Sequence, residues 1–402
     1  MKRILPILFL ICAIFSVSAQ NNNVFKAKLV GGAFLPMGYY KNYLGMTGPS
    51  VVGGLEFDYE ILPVGNNSWE KHWNYPSIGF ATLALKLDGI VGTEATPSLG
   101  FMVAAYPYVN LPIYRSNIGE FAAKVGMGVA MFNKKAPGLG SYAAFNFGLG
   151  LNGKINLSRH WALTIDATYN PITNGNIYGT NATMNIIYGA LGVYYRMGNG
   201  DYKKPRIRRA ENLPYKFMIN ATASMSFKFL EDRFVAGKYN SAYTGAMEAT
   251  AHIDGLIKVT NCWATGPAID AIITQPGMRL GIAWANGFTM GRFTGIIDAG
   301  LNIFDTQLNE EGKSELKMFE LNEFKYFSAK GEELKRLENL PGTLYMRAGL
   351  RYRLIDNVYI QVSGRTFLHA FDCAEFGIGY SIPYSTSRGG RFGGRTGRYG
   401  GR

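Results

Sequence analysis

From Ala143 to Ile155 the odd positions read Ala, Phe, Phe, Leu, Leu, Gly, Ile, while the even positions from Ala144 to Asn156 read Ala, Asn, Gly, Gly, Asn, Lys, Asn. A period of two with one apolar and one polar face is a β-strand, and this one runs longer than a soluble sandwich usually needs. Near the C-terminus Met346, Ala348, Leu350, Tyr352 and Leu354 alternate with Arg347, Gly349, Arg351 and Arg353. Three arginines on one face and apolar side chains on the other ask for water on one side and lipid on the other. A closed barrel with a wet lumen provides both and leaves no free edge.

Alternating runs between turn signals predict strands at 24–35, 50–61, 76–88, 98–109, 117–132, 141–157, 160–169 and 183–197. A second set is predicted at 215–229, 243–259, 262–273, 278–289, 292–305, 342–354, 357–368 and 373–382. The expected fold is all-β, a transmembrane antiparallel β-barrel of about 16 strands, with a range of about 14–18. The segment "GNGDYKKPRIRRAENLP", 198–214, divides these strands into two halves, 20–197 and 215–387. One barrel is the first expectation, and two eight-stranded barrels the alternative. The tight turn at Ser158-Arg159 should face the periplasm, which puts the 170–182 loop and the charged, partly helix-patterned stretch 309–340 outside the cell. Glu375-x-Gly377-x-x-Tyr380-x-Ile382 has the layout of a last strand recognised by the barrel-assembly machinery.

Composition agrees with many aromatic strands: 50 glycines, 25 tyrosines, 25 phenylalanines and 17% charged residues. No segment beyond residue 19 approaches the roughly 18 continuous apolar residues of a membrane helix. Met1-Lys2-Arg3, the apolar run from Ile4 to Phe15 and the small-residue site Val17-Ser18-Ala19 read as a signal peptide over 1–19. The expected location is the outer membrane of a Gram-negative bacterium. A net charge of +13 suggests nucleic acid until it is located. Most of it lies in the signal peptide, in the linker (Lys203, Lys204, Arg206, Arg208, Arg209) and in the tail "RGGRFGGRTGRYGGR", 388–402. It marks appendages, and no nucleic-acid partner is expected. The tail is expected to be a disordered arginine-glycine segment. Cys262 and Cys373 are too few for a disulfide framework and read as small apolar strand residues.

Several motifs have plain structural readings. Gly148-Leu149-Gly150-Leu151-Asn152-Gly153 matches a dinucleotide fingerprint but sits inside a strand. His252-x-Asp254 and the group His369, Asp372, Cys373, Glu375 lack ligand spacing and read as turn or lumen polar residues. His72 lies between Trp69 and Trp73 in a periplasmic connection, where interfacial aromatic anchoring accounts for it. No metal and no cofactor are expected.

The loop "TYNPITNGNIYGTNATMN", 168–185, carries more Asn, Thr and Gly than a turn needs. Here the chain resembles the PagL-type lipid A 3-O-deacylases of the acyloxyacyl hydrolase family, outer-membrane barrels with the signature His-x-Ser-Asn-x-Gly followed by Pro-Asn-x-Gly-x-Glu. The stretches 69–80, 126–136, 344–362 and 371–382 resemble landmarks of longer members of that family. The resemblance implies the nucleophile position at Thr173, the base position at Pro171 and the orienting carboxylate position at Asn185. It implies substrate-binding asparagines at Asn174 and Asn181, and the two motif glycines fall on Asn176 and Thr183. An ester hydrolase needs a hydroxyl, a base and a group that orients the base. Pro171 offers no base. Asp166 has lumen parity and His160 lies roughly 35 Å away along the strand, so neither substitutes. Trp161, Leu163, Ile165 and Ala167 are expected to face lipid, and the same parity carries Pro171 and Thr173 outward.

Three functions follow. The first is a barrel related to lipid A deacylases that acts on or binds lipopolysaccharide, and the second is a non-catalytic outer-membrane pore or structural barrel. The third is an anion channel lined by Arg347, Arg351 and Arg353. The expected partners are outer-membrane lipid, lipopolysaccharide and the barrel-assembly machinery.

Overall fold

The computed structural model describes residues 23–36, 49–63, 68–87, 99–134, 139, 141–175, 183–197, 216–231, 243–274, 277–308, 314–318, 343–367 and 371–384. The signal peptide, the linker, the tail, most of 309–340, Asn176, Asn181 and His369 lie outside them.

Eight strands make the first half: β1 Asn23–Leu35, β2 Ser50–Ile61, β3 Ser77–Lys86, β4 Phe101–Arg115, β5 Gly119–Phe132, β6 Ala143–Asn156, β7 Trp161–Thr173 and β8 Met184–Arg196. A short helix, α1 Ser68–His72, lies between β2 and β3. Each strand pairs antiparallel with the next, and β1 pairs with β8 from Val24↔Arg196 to Leu35↔Asn185, which closes the cylinder.

The second half contains β9 Phe217–Glu231, β10 Tyr243–Lys258, β11 Trp263–Thr274, β12 Met278–Met290, β13 Phe293–Leu308, β14 Ser314–Met318, β15 Leu344–Arg353, β16 Val358–Phe367 and β17 Phe371–Tyr384. It closes through β17 against β9, from Glu375↔Ser226 to Tyr384↔Phe217. β14 stands outside this ring. It pairs with β13 over Phe304–Leu308, beyond the point where β15 pairing stops at Leu301↔Leu344. A strand extended past its neighbour exposes unpaired backbone groups, and β14 covers them. The 309–340 stretch, expected to be partly helical, thus contributes a strand.

The single barrel of about 16 strands is corrected to two closed eight-stranded barrels. Alternation and strand count are the same for either arrangement. The difference is which strand meets the free edge of β8, and β1 meets it instead of β9. Each barrel is of the size whose interior side chains can just fill.

The outward positions are apolar in both barrels, including Leu29, Ile165 and Leu191 in the first and Ile253, Ile269 and Ile378 in the second. With strands of 10–16 residues in the two rings, this belt is long enough to span a bilayer, which takes about 9–11 tilted residues. The inward positions carry most of the buried charge. The richness in glycine and tyrosine has a packing cause: the Tyr108 ring lies over its cross-strand partner Gly79, and Tyr345 lies over Gly300 in the other barrel. A Cβ at either glycine would come within 2.3–2.4 Å of the ring.

Candidate functional site

Three places hold chemistry: the two lumens and the outer end of β7 and β8. In the first barrel, Lys28 Nζ lies 2.7 Å from Glu56, 2.6 Å from Asp58 and 2.6 Å from Asp166. Lys124 Nζ is 2.7 Å from Glu56, and its ammonium sits 4.5 Å from the Tyr108 ring centre. Tyr106 and Tyr188 donate to Glu56 at 2.8 and 3.0 Å. One layer toward the end that carries the Ser158-Arg159 turn, Glu60 accepts from Lys26 at 2.5 Å, Asn110 at 2.8 Å and Tyr108 at 2.9 Å. Toward the opposite end the lumen turns apolar. Phe34, Leu83, Leu85, Met102, Phe132 and Ile172 belong to one buried cluster there.

Arginine fills the same role in the second barrel. Arg347 pairs with Glu375 at 2.7 Å and with Asp270 at 3.0 Å, and Arg351 with Asp254 at 2.7 Å. Arg365 reaches Glu248 at 2.5 Å, Asp372 at 2.6 Å and Glu375 at 3.1 Å, while Arg279 pairs with Glu248. His252 bridges Asp270 at 2.9 Å and Asp254 at 3.2 Å, and Tyr345 donates to Asp270.

Among the described residues, two groups have the spacing of a cation site: the carboxylates of Glu56, Asp58 and Asp166, and the Glu248 and Asp372 carboxylates with the Cys373 thiol. In each the positive charge comes from the protein's own side chain, Lys28 in the first and Arg365 with Arg279 in the second. Arg347 and Arg351, expected to line a wet lumen, are buried and paired instead. Only Arg353 of that trio is exposed, at the end of β15 beside the β12–β13 turn, where it donates to the Gly291 carbonyl at 3.1 Å. The expectation of an anion-conducting arginine row therefore gives way to neutralised ion pairs.

Along β7, Trp161, Leu163, Ile165 and Ala167 are exposed on the lipid side, and at its outer end Pro171 is half-buried on that side opposite Asn185. Tyr169, on the same face, donates to Asn185 Oδ1 at 2.6 Å. Thr173 keeps the parity but not the exposure. It is 1% exposed and its hydroxyl accepts the Gly175 N–H at 3.2 Å. Asn174 is buried and donates to the Leu139 carbonyl at 2.6 Å, so Leu139 sits against this strand end. Register brings Pro171 and Asn185 together, while Thr173 is buried.

Asp166 is in the lumen, paired with Lys28. His160 lies in the β6–β7 turn, at the far end of β7 from Thr173, with Nδ1 3.1 Å from the Arg196 carbonyl. Neither can serve Thr173. Motif reading passed over the lysine network of the first lumen, although Lys26, Lys28, Glu56, Asp58 and Glu60 all fall on the polar parity of their strands. His252, Asp254, Asp372, Cys373 and Glu375, expected to be turn or lumen polar residues, are buried inside the second barrel.

No family model and no curated protein matches this sequence. Among solved structures, it is similar to the siderophore receptor PirA from Pseudomonas aeruginosa, at 9% identity and a TM-score of 0.25, over 86% of this chain and 55% of the receptor. It is also similar to a porin from Rhodopseudomonas blastica, at 8% identity and a TM-score of 0.18, over 89% of this chain and 100% of the porin. A third is an outer-membrane channel from Pseudomonas putida F1, at 6% identity and a TM-score of 0.19, over 91% of this chain and 97% of the channel. The chain spans about half the length of the siderophore receptors it matches. At these scores the likeness carries nothing about solute, ligand or activity.

Proposed function

We propose that this protein is a non-catalytic structural double barrel of the Gram-negative outer membrane, closed to solutes. Its ancestry is shared with the long members of the lipid A deacylase family. The observation that carries the reading is the filling of both lumens by buried, mutually neutralising ion pairs. An ion crossing such a layer would leave water and compete with partners already in place, a cost of several kcal/mol per charge. Catalysis is unsupported at the outer loop, where the base position is a proline and the hydroxyl of Thr173 is buried and occupied. Tyr169 is exposed on the lipid face near the outer end of β7, with Asn185 buried behind it as its hydrogen-bond partner, so lipopolysaccharide is the lipid this face would contact.

Planar-bilayer recording tests the closure. Purified protein is expected to give no stepwise conductance in 1 M KCl, and regular conductance steps that follow the folded protein would overturn the reading. Mass spectrometry of lipid A incubated with the same preparation is expected to show no loss of a 3-O-acyl chain. Release that disappears in Thr173→Ala would restore the hydrolase.

A further inference from the structure

The connection between β2 and β3 does more than turn the chain, and we infer that α1 is a periplasmic clamp that fixes the two barrels in one orientation. Among the described residues, Trp73 and Trp69 make three contacts that cross from the first barrel to the second. The Trp73 indole N–H donates to the Thr289 carbonyl at 3.0 Å, and its ring meets Phe288 edge-on at 6.2 Å. Phe288 is itself stacked on Trp263, with planes 11° apart. Trp69 lies against Gly291, where a Cβ would come within 3.1 Å of its Nε1. Gly291 has a φ of +65°, so the β12–β13 turn favours a residue without a side chain at the spot the indole occupies.

The clamp is held in shape from behind. Asn74 and Tyr75, directly after α1, both lie in the left-handed region at φ 53° and 59°. A tyrosine there is rare and persists only where surroundings over-determine it. Arg115 supplies that constraint. Its guanidinium donates to the Asn74 carbonyl at 3.2 Å and the Tyr75 carbonyl at 3.1 Å while pairing with Glu120 at 2.6 Å. The Asn74 side chain adds a bond to the Pro112 carbonyl at 3.2 Å.

Strand parity gives independent support. The β2–β3 connection and the β12–β13 turn are on the periplasmic side of their own barrels, so the contact requires a single membrane plane for both. The linker alone sets no orientation, because residues 197–216 could reach roughly 65 Å fully extended. It does keep the halves together, and a tether raises the effective concentration to about the millimolar range. A small aromatic contact therefore suffices to choose one arrangement. Indole rings at the headgroup level are also well suited to it.

Spin labels at Asn117→Cys and Asp356→Cys, with Cys262 and Cys373 replaced by serine, place one probe at the periplasmic rim of each barrel. Pulsed electron resonance in lipid nanodiscs is expected to give one narrow distance distribution. Trp69→Ala with Trp73→Ala should widen it, and Gly291→Val, which pushes on Trp69 from the other side, should widen it as well. Heat-shifted migration on a gel checks that both barrels remain folded. A broad distribution in the otherwise unaltered protein, or a narrow one in folded protein carrying either change, overturns the clamp.

Discussion

The two barrels have the same strand number and the same inside-outside alternation, yet fill their interiors with different chemistry. The first places lysines among carboxylates and completes the space with tyrosines: Lys28 and Lys124 act as point charges, and the hydroxyls of Tyr106, Tyr188 and Tyr108 take lone pairs on Glu56 and Glu60. The second uses Arg279, Arg347, Arg351 and Arg365, whose planar forks each reach one or more carboxylates. An ammonium is compact and leaves volume for aromatic rings, whereas a guanidinium fills volume and bridges acceptors in a fixed geometry. The first barrel also carries an apolar plug in its outer half. Among the described residues, the apolar cluster of the second is built on Leu256, Ala264, Ala268 and Ala285. A closed lumen can thus be reached by two routes with the same strand pattern.

The largest expected effect comes from removing the central cation of either network. Lys28→Met leaves Glu56, Asp58 and Asp166 with Lys124, which lies close only to Glu56 and 3.8–3.9 Å from the other two. Arg347→Met leaves Asp270 and Glu375 short of their main partner. Breaking a buried pair costs about 3–5 kcal/mol, so each change should sharply lower the temperature at which the folded gel band converts. Equal destabilisation of both barrels by Lys28→Met, followed by cleavage-resistant fragments, would show one cooperative unit instead of two.

Next is the plug. Leu85 is fully buried, and Leu85→Ala should cost about 2–5 kcal/mol, read in the same gel assay. A loss well under 1 kcal/mol would mean that the outer half of the first lumen is loosely packed.

Tyrosine hydroxyls separate the barrels on a finer scale. Tyr345→Phe removes a donor to Asp270, and leaving a buried acceptor short costs about 1–3 kcal/mol. Tyr188→Phe should cost less, because Glu56 keeps Tyr106, Lys28 and Lys124. The reverse order would mean that the lysine network depends on its tyrosines more than its geometry indicates.

The smallest effect concerns pH and the clamp. Burial, with a lesser push from neighbouring Lys71, holds the His72 imidazole below its ordinary value of 6.5. A folded pKa below the unfolded one means that the unfolded chain binds more protons in that window, so stability rises with pH there. The contribution is present above about pH 6.5 and declines as pH falls through the lowered value. The inter-barrel distance distribution should broaden slightly between pH 7.5 and pH 5, and His72→Gln should remove that change. Equal broadening in His72→Gln would assign the effect to another group.

Much of the fold is legible in the chain because a strand writes its two faces in alternate residues. The run 143–156 and the arginine-bearing strand 344–353 have the faces that parity assigned, and β2 begins and ends at the residues where alternation begins and ends. At the outer loop, parity carried Pro171 and Thr173 outward, and it was the register that set Pro171 opposite Asn185. Parity could not show that Thr173 is buried, nor that the next residue, Asn174, bonds to Leu139, which is distant in sequence. The lumen partnerships were illegible for the same reason: alternation marks Lys28 and Asp166 as inward, but 138 residues separate them and only barrel closure brings them to 2.6 Å.

What the sequence by itself determined is therefore local and periodic: strands, inward and outward faces, and the absence of a base at position 171. Tertiary structure decided which edges join, and with that whether sixteen strands make one wide lumen or two narrow ones. Edge choice is a competition between distant backbone groups of identical chemistry, so no residue type records it. Once β1 met β8, the radius was small enough for charged side chains to reach across. Residues that would have lined water in a wider barrel became one another's partners.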